Sequence, residues 1–233
     1  MLQYITLSSP LKGAVTYIGG NILKKTKILC FLILPVVFIL TRIPLVEKPS
    51  QIITFGLFII VNFIVSLLFY FIFKRIEFTL PRAVSTAVIL SVVDQLVKII
   101  IYKFDFHAKL IGRLLRIEPT ENLNQTAMFN FLNLEFDSTF IIIFKAVLIL
   151  ALFCVFIILK NKGTCIWYAF VLLLSASIAN LADSVAWGYT LDYVLFSRLT
   201  CYDLKDFYVD TAIGFVIIEF LYNRKKQEVK ESV

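Results

Sequence analysis

The sequence predicts an all-α integral membrane protein with six transmembrane helices and a small β element in its longest outer loop. Three observations carry this. Of the 233 residues, 60% are hydrophobic and 17% are charged, whereas soluble domains hold about 45–50% apolar residues. The mean hydropathy is +0.88. The apolar residues also gather into runs of about 20, the length a helix needs to cross a bilayer.

Residues 1–27 are mixed, with Gly19-Gly20 followed by Lys24, Lys25 and Lys27, and suit an interfacial segment on the inner face. The N-terminus shows no short apolar core followed by a small-residue cleavage site, so no removable signal peptide is expected. The first span covers 28–46 and is kinked at Pro35, which membrane helices tolerate. A polar turn from Glu47 to Ser50 leads to the second span, 52–73. Lys74-Arg75 ends it, and Pro81-Arg82 opens the third span, 83–102. That span carries Asp94-Gln95 and Lys98 toward its far end, with Asp94 and Lys98 four apart on one helix face.

Residues 103–138 form the longest polar connection, and a loop of that length is usually functional or locally structured. Residues 114–117 and 127–136 are expected to form its strand pair. The fourth span is 139–159, closed by the basic turn Lys160-Asn161-Lys162-Gly163. The fifth is 165–182, with small residues Ser175, Ala176, Ser177 and Ala179 that let helices or a substrate approach closely. The sixth is 207–222, followed by a charged tail.

The net charge of +7 sits in short clusters on one side of these spans. By the positive-inside rule that side is cytoplasmic, with both termini on it. Orientation therefore accounts for the charge, and no nucleic-acid partner is expected. Four scattered cysteines offer no paired or metal-ligand spacing, and the single histidine, His107, excludes a two-histidine metal motif.

The polar residues converge at one depth. Asp94 and Lys98 lie near the outer end of the third span, Asn180 and Asp183 near the outer end of the fifth, and Asn124 in the outer loop. Between 175 and 214 stand five of the chain's 16 acidic residues: Asp183, Asp192, Asp203, Asp206 and Asp210. Acids beside the hydrocarbon are expensive and are functional candidates by default. A carboxylate pair supports aspartyl hydrolysis, in which one ionised acid activates water and its protonated partner donates to the carbonyl oxygen. Like charges about 3 Å apart share a proton. The chemistry needs no cofactor and no metal. On the residues alone, Asp192 also suits an interfacial turn and Asp206 a helix N-cap, and Asp210 stands as an alternative second acid. Asp183 suits a solvated helix end, and Asp94 with Lys98 a structural ion pair.

Four motifs in order resemble the lipoprotein signal peptidases, the signal peptidase II family of membrane aspartyl endopeptidases. Asp94-Gln95-Leu96-Val97-Lys98 is similar to the family's Asp-Gln-x-x-Lys. Asn124-Gln125-Thr126-Ala127-Met128-Phe129 resembles Asn-x-Gly-x-Ala-Phe, with Thr126 in place of glycine. Asn180-Leu181-Ala182-Asp183-Ser184 followed by Gly188-Tyr189-Thr190-Leu191-Asp192-Tyr193 resembles Asn-x-x-Asp-Arg and Gly-(His/Tyr)-Val-Val-Asp-Phe. Tyr202-Asp203-Leu204-Lys205-Asp206 resembles Phe-Asn-x-Ala-Asp. The resemblance implies a catalytic pair of Asp192 and Asp206. Asn124, Asn180 and Asp203 would position the scissile bond or orient the pair, and Asp94 and Lys98 would brace the site. Ser184 stands where the motif has arginine, which leaves Asp183 without its expected cation.

On this reading residues 1–82 are an N-terminal extension with two spans, 83–226 a four-helix peptidase core, and 227–233 a charged cytoplasmic tail. The substrates implied are prolipoproteins cut beside a diacylglyceryl-modified cysteine, the surroundings are membrane lipids, and a monomer is favoured. The location implied is the cell membrane, crossed several times. Two other readings stay open. One is a non-catalytic membrane protein of the same fold that binds lipopeptides or acts as a scaffold. The other is a small transporter, which would need polar residues near mid-membrane on several spans.

Overall fold

Uninterrupted apolar runs give uninterrupted helices here, because only intrasegment hydrogen bonding satisfies the backbone in hydrocarbon. The computed structural model describes residues 48–122, 137–197 and 199–231. Its helices are α1 (Ile52–Phe73), α2 (Leu80–Lys103), α3 (Ser138–Leu159), α4 (Thr164–Ala186) and α5 (Leu204–Glu231). Four of them, α1 to α4, are long and apolar enough to cross a membrane. The 28 residues of α5 are also long enough, but Asp206, Asp210 and Glu219 interrupt its apolar character. The expected first span and the expected strand at 127–136 lie outside the described residues.

Local chemistry sets the helix ends. Pro81 stands in the first turn of α2, where its missing N–H costs nothing. Asp137 caps α3, its carboxylate accepting from the Thr139 N–H at 3.1 Å. Gly188, at φ +72°, closes α4, and its N–H reaches back to the Asp183 carbonyl at 3.2 Å. Left-handed backbone of this kind favours glycine. The fifth span was expected to end at 182, and α4 continues one turn beyond. Asp183 is consequently inside the helix and fully buried, not a solvated helix-end acid.

The β structure is larger than expected and differently paired. Strands β1 (Ala108–Ile111), β2 (Leu115–Asn122), β3 (Thr190–Phe196) and β4 (Thr200–Tyr202) form one antiparallel sheet in the order β1-β2-β3-β4. The strand at 114–117 is real but pairs with β1 and β3. Gly112, at φ +52°, turns the β1–β2 hairpin. The β2–β3 register shifts between Ile117 and Thr120, across Pro119, which has no N–H to give the ladder. Beyond the shift Thr120 pairs with Asp192 and Asn122 with Thr190. Asp192 thus sits in a strand rather than in an interfacial turn.

Of α1 to α4, α4 is the most enclosed and α3 the least. Ala83, Ala87 and Ser91 of α2 are all buried, and the Ser91 hydroxyl donates to the Ser175 carbonyl of α4 at 2.8 Å. Small residues at such a seam let backbones approach, which is how helices gain packing where lipid tails supply no hydrophobic drive. An aromatic core joins Phe73 of α1, Tyr168 of α4 and Phe215 of α5. A second cluster sits under the sheet. There Phe58 of α1 meets Phe196 of β3 at 5.1 Å and Tyr202 of β4 at 5.2 Å, both edge-to-face. Midway along α1, the Ser66 and Thr211 hydroxyls hydrogen-bond across to α5 at 3.1 Å. The helix assigned by sequence to an N-terminal extension therefore packs against the strands and helix that carry the acids.

Candidate active site

The first turn of α5 fixes two of the acids. A helix N-terminus leaves four N–H groups without intrahelical partners. Asp203 precedes α5 and accepts the Asp206 N–H on Oδ1 at 3.1 Å, while Asp206 accepts the Asp203 N–H on Oδ2 at 3.2 Å. This is a reciprocal capping box. The Leu204 N–H donates to the Tyr193 hydroxyl at 3.1 Å, which ties the helix start to the strand bearing Asp192. Asp206 is thus the third residue of the helix, and the capping position belongs to Asp203.

The second strand orients the third acid. Asn122 donates through Nδ2 to Asp192 Oδ2 at 2.9 Å, a diagonal same-face contact across β2 and β3. With both elements in place, one carboxylate oxygen from each of Asp192, Asp203 and Asp206 lies within 4.8 Å of the others. Asp192 and Asp203 are buried and Asp206 is partly exposed. That spacing would let one cation reach all three, but Asp203 already has two ammonium partners.

Those partners come from α2 and α5. Lys98 directs its ammonium to three carboxylates: Asp203 at 2.7 Å, Asp183 at 2.8 Å and Asp94 at 3.0 Å. An ammonium has three donors, so Lys98 is fully used. Lys205 pairs with Asp203 and, at 3.2 Å, with Asp183. Gln95 adds an amide N–H to Asp183 Oδ1 at 2.8 Å and accepts the Trp187 indole N–H at 3.3 Å. The expectation that Ser184 leaves Asp183 without a cation is therefore corrected: two lysines, neither adjacent in sequence, supply the charge.

Burial of an ion cluster costs several kcal/mol per ion unless donors and acceptors match, and here they largely do. Among the described residues Asp94 Oδ1 is one of three buried side-chain atoms without a hydrogen-bond partner. Electrostatics separate the two acids that lie outside the helices. Burial pushes the Asp192 carboxyl up from the usual range, opposed by the Asn122 hydrogen bond. Burial acts the same way on Asp203, but Lys205 and Lys98 outweigh it and hold Asp203 below that range.

Of the residues singled out in the sequence, Asp192, Asp203 and Asp206 converge directly, and Asp94 and Lys98 stand behind them. Asn180 lies on α4 one turn before Asp183, and Asp210 accepts the Tyr202 hydroxyl at 2.8 Å. Asn124 lies outside the described residues. Sequence reasoning missed Asn122, Lys205 and Lys145. Lys145 carried a usable signal, as the one charged residue in the 22-residue run of α3. Asn122 and Lys205 carried none, because only strand register and helix phase bring them to the acids.

The model of the family described as signal peptidase (SPase) II matches residues 86–222 of this chain. The chain belongs to the signal peptidase II family. It is, with that membership, an aspartic-type endopeptidase of the membrane. A lipoprotein signal peptidase of Caldicellulosiruptor bescii is 30% identical over 132 residues, covering 56% of this chain and 83% of the relative. One from Brucella ovis is 28% identical over 149 residues, covering 61% and 91%. A bacterial membrane enzyme solved by the in meso method at 1.9 Å has the same fold at 20% identity and a TM-score of 0.52, over 62% of this chain and 96% of that one. The family match begins inside α2, so α1 lies wholly outside it.

Proposed function

We propose that this chain removes the signal peptide from diacylglyceryl-modified prolipoproteins at the outer face of the membrane, with Asp192 and Asp206 as the catalytic pair. The observation that carries this is the convergence of a strand acid and a helix-start acid at the sheet end of the helices. Their carboxylate oxygens lie within 4.8 Å of each other, close enough for each charge to oppose the other's, so on this reading the pair titrates as a unit and holds one proton between them. The ionised member takes a proton from water as the water oxygen attacks the scissile carbonyl carbon. The protonated member donates to the carbonyl oxygen, giving a gem-diol. Its collapse breaks the C–N bond and returns a proton to the leaving amine.

Asp203, held anionic by Lys98 and Lys205, orients Asp206 through the capping box. Asp94 and Lys98 brace that arrangement, and Asn124 and Asn180 contact the substrate backbone. Asp210 is the weaker second acid, since Tyr202 engages it. A non-catalytic scaffold would be favoured by Ser184 in place of arginine and Asp203 in place of asparagine, but Lys98 and Lys205 meet both Asp183 and Asp203.

The same reading takes six spans with both termini cytoplasmic, a core at 83–226 preceded by an extension at 1–82, and a monomer in the lipid bilayer. Cleavage of a diacylglyceryl-modified prolipoprotein peptide by the purified protein tests it. Turnover retained in both Asp192→Asn and Asp206→Asn would sink the assignment.

A further inference from the structure

Lys145 is the one charged side chain of α3 and is buried. Its hydrogen-bond partners are all neutral oxygens on α4, and the Asp183 carboxylate of the same helix is within electrostatic reach. The ammonium lies 3.0 Å from Asn180 Oδ1, 3.2 Å from the Asn180 carbonyl and 2.5 Å from the Ser184 hydroxyl. A charge in hydrocarbon is expensive and rarely kept without a task. Joining α3 to α4 is not that task, because Phe156 already stacks on Phe170 at 3.8 Å across the same seam.

What an ammonium does that an apolar side chain cannot is fix an amide. It donates and never accepts. Facing Asn180, it must meet the amide oxygen, so the NH2 group turns away from α3. Asn180 is then a directed donor one turn from Asp183, whose carboxylate joins the Lys98 and Lys205 network around Asp203. Without Lys145 the amide can flip, and the two orientations present opposite hydrogen-bonding groups.

We propose that Lys145 is a positioning residue for peptide cleavage, acting through Asn180 by fixing its NH2 as a donor to a backbone carbonyl of the substrate. This rests on the peptidase reading above. It also assigns to α3 a part in the site that no motif in its sequence announces.

The test compares wild type, Lys145→Met, Asn180→Ala and the double variant in cleavage of a diacylglyceryl-modified prolipoprotein peptide, with thermal denaturation of each. Lys145→Met removes a buried charge at nearly constant volume, so its folding is expected to hold. Each single change should lower kcat/KM by about tenfold or more, and the double should be no worse than Asn180→Ala alone. Multiplying losses, or full activity in Lys145→Met, would overturn the proposal. Asn180→Asp supplies an independent check, since it keeps an oxygen for Lys145 and replaces the NH2 donor by a second, anionic acceptor. It should lose activity as Asn180→Ala does while still melting cooperatively, and full activity there also overturns the proposal. Absence of cleavage by the wild type would overturn the peptidase reading and this inference with it. Wild-type cleavage with Lys145→Met unaffected would remove this inference alone.

Discussion

Asp203 and Asp206 cap one another: each carboxylate accepts the other's backbone N–H, at 3.1 and 3.2 Å. One of them is therefore both the helix cap and the acceptor of two lysines, and the other is free to face Asp192. Exchanging Asp203 for Asn keeps the cap but weakens both ion pairs. Asp203 is held below the usual carboxylate range by Lys205 and Lys98 against the pull of its burial. Its folded pKa is depressed, so it contributes stability that is present above about pH 4, its ordinary value, and lost as pH falls through the folded value. Thermal denaturation from pH 7 downward should show an acid-induced loss that is smaller in Asp203→Asn. Equal loss in both proteins would refute this.

Lys98 is the most connected cation, and its removal should be the most damaging single change. Lys98→Met leaves Asp183 and Asp203 sharing Lys205 alone and takes from Asp94 its ion-pair partner. Breaking a buried pair by removing one partner costs about 3–5 kcal/mol. Denaturation in detergent should register a loss of that size. A change under about 1 kcal/mol would mean the cluster is hydrated like a surface pair.

Asn122 lies just short of the motif that drew attention to Asn124, and its effect is expected on pH dependence. Its hydrogen bond favours the ionised form of Asp192, whose carboxyl burial pushes up. Asn122→Leu removes the opposing influence, so the limb of the pH–rate profile set by Asp192 should move to higher pH. Loss of a charged hydrogen bond is worth about 1.5–3 kcal/mol, or roughly ten- to a hundredfold in rate. A pH profile superimposable on the wild type would contradict the role given to Asn122.

Phe58 tests whether α1 belongs to the working unit. It is fully buried against Phe196 and Tyr202, four residues after Asp192 and one before Asp203. Phe58→Ala should cost about 3–5 kcal/mol and lower kcat more than it raises KM, because it loosens the strands that hold the acids. Unchanged stability and kinetics would make α1 an independent extension.

Much of this was legible in the chain itself. Four spans ended within a few residues of their helices because hydrocarbon imposes length and composition together. Asp183, Asp192, Asp203, Asp206 and Asp210 stand out because acids beside apolar runs are costly, and the motif resemblance selects Asp192 and Asp206 among them. The sheet was half seen. Residues 190–202 carry no strand expectation, for their alternation is short and the β2 partner lies about 70 residues earlier. Asp183 was misjudged for a related reason. Its cations, Lys98 and Lys205, are 85 and 22 residues away, so an adjacent serine looked like a missing charge. Lys145 alone was visible and passed over.

The most direct test of the catalytic pair is cleavage of a diacylglyceryl-modified prolipoprotein peptide by the purified wild type beside Asp192→Asn. Burial raises the Asp192 carboxyl, so its folded state favours the proton and stability is lost as pH rises above the unfolded value. The neutral amide should therefore leave the variant no less stable at pH 7. The account predicts cleavage by the wild type, none by a variant that melts no lower, and lipopeptide binding by both. Turnover by the folded variant at the wild-type rate would contradict it.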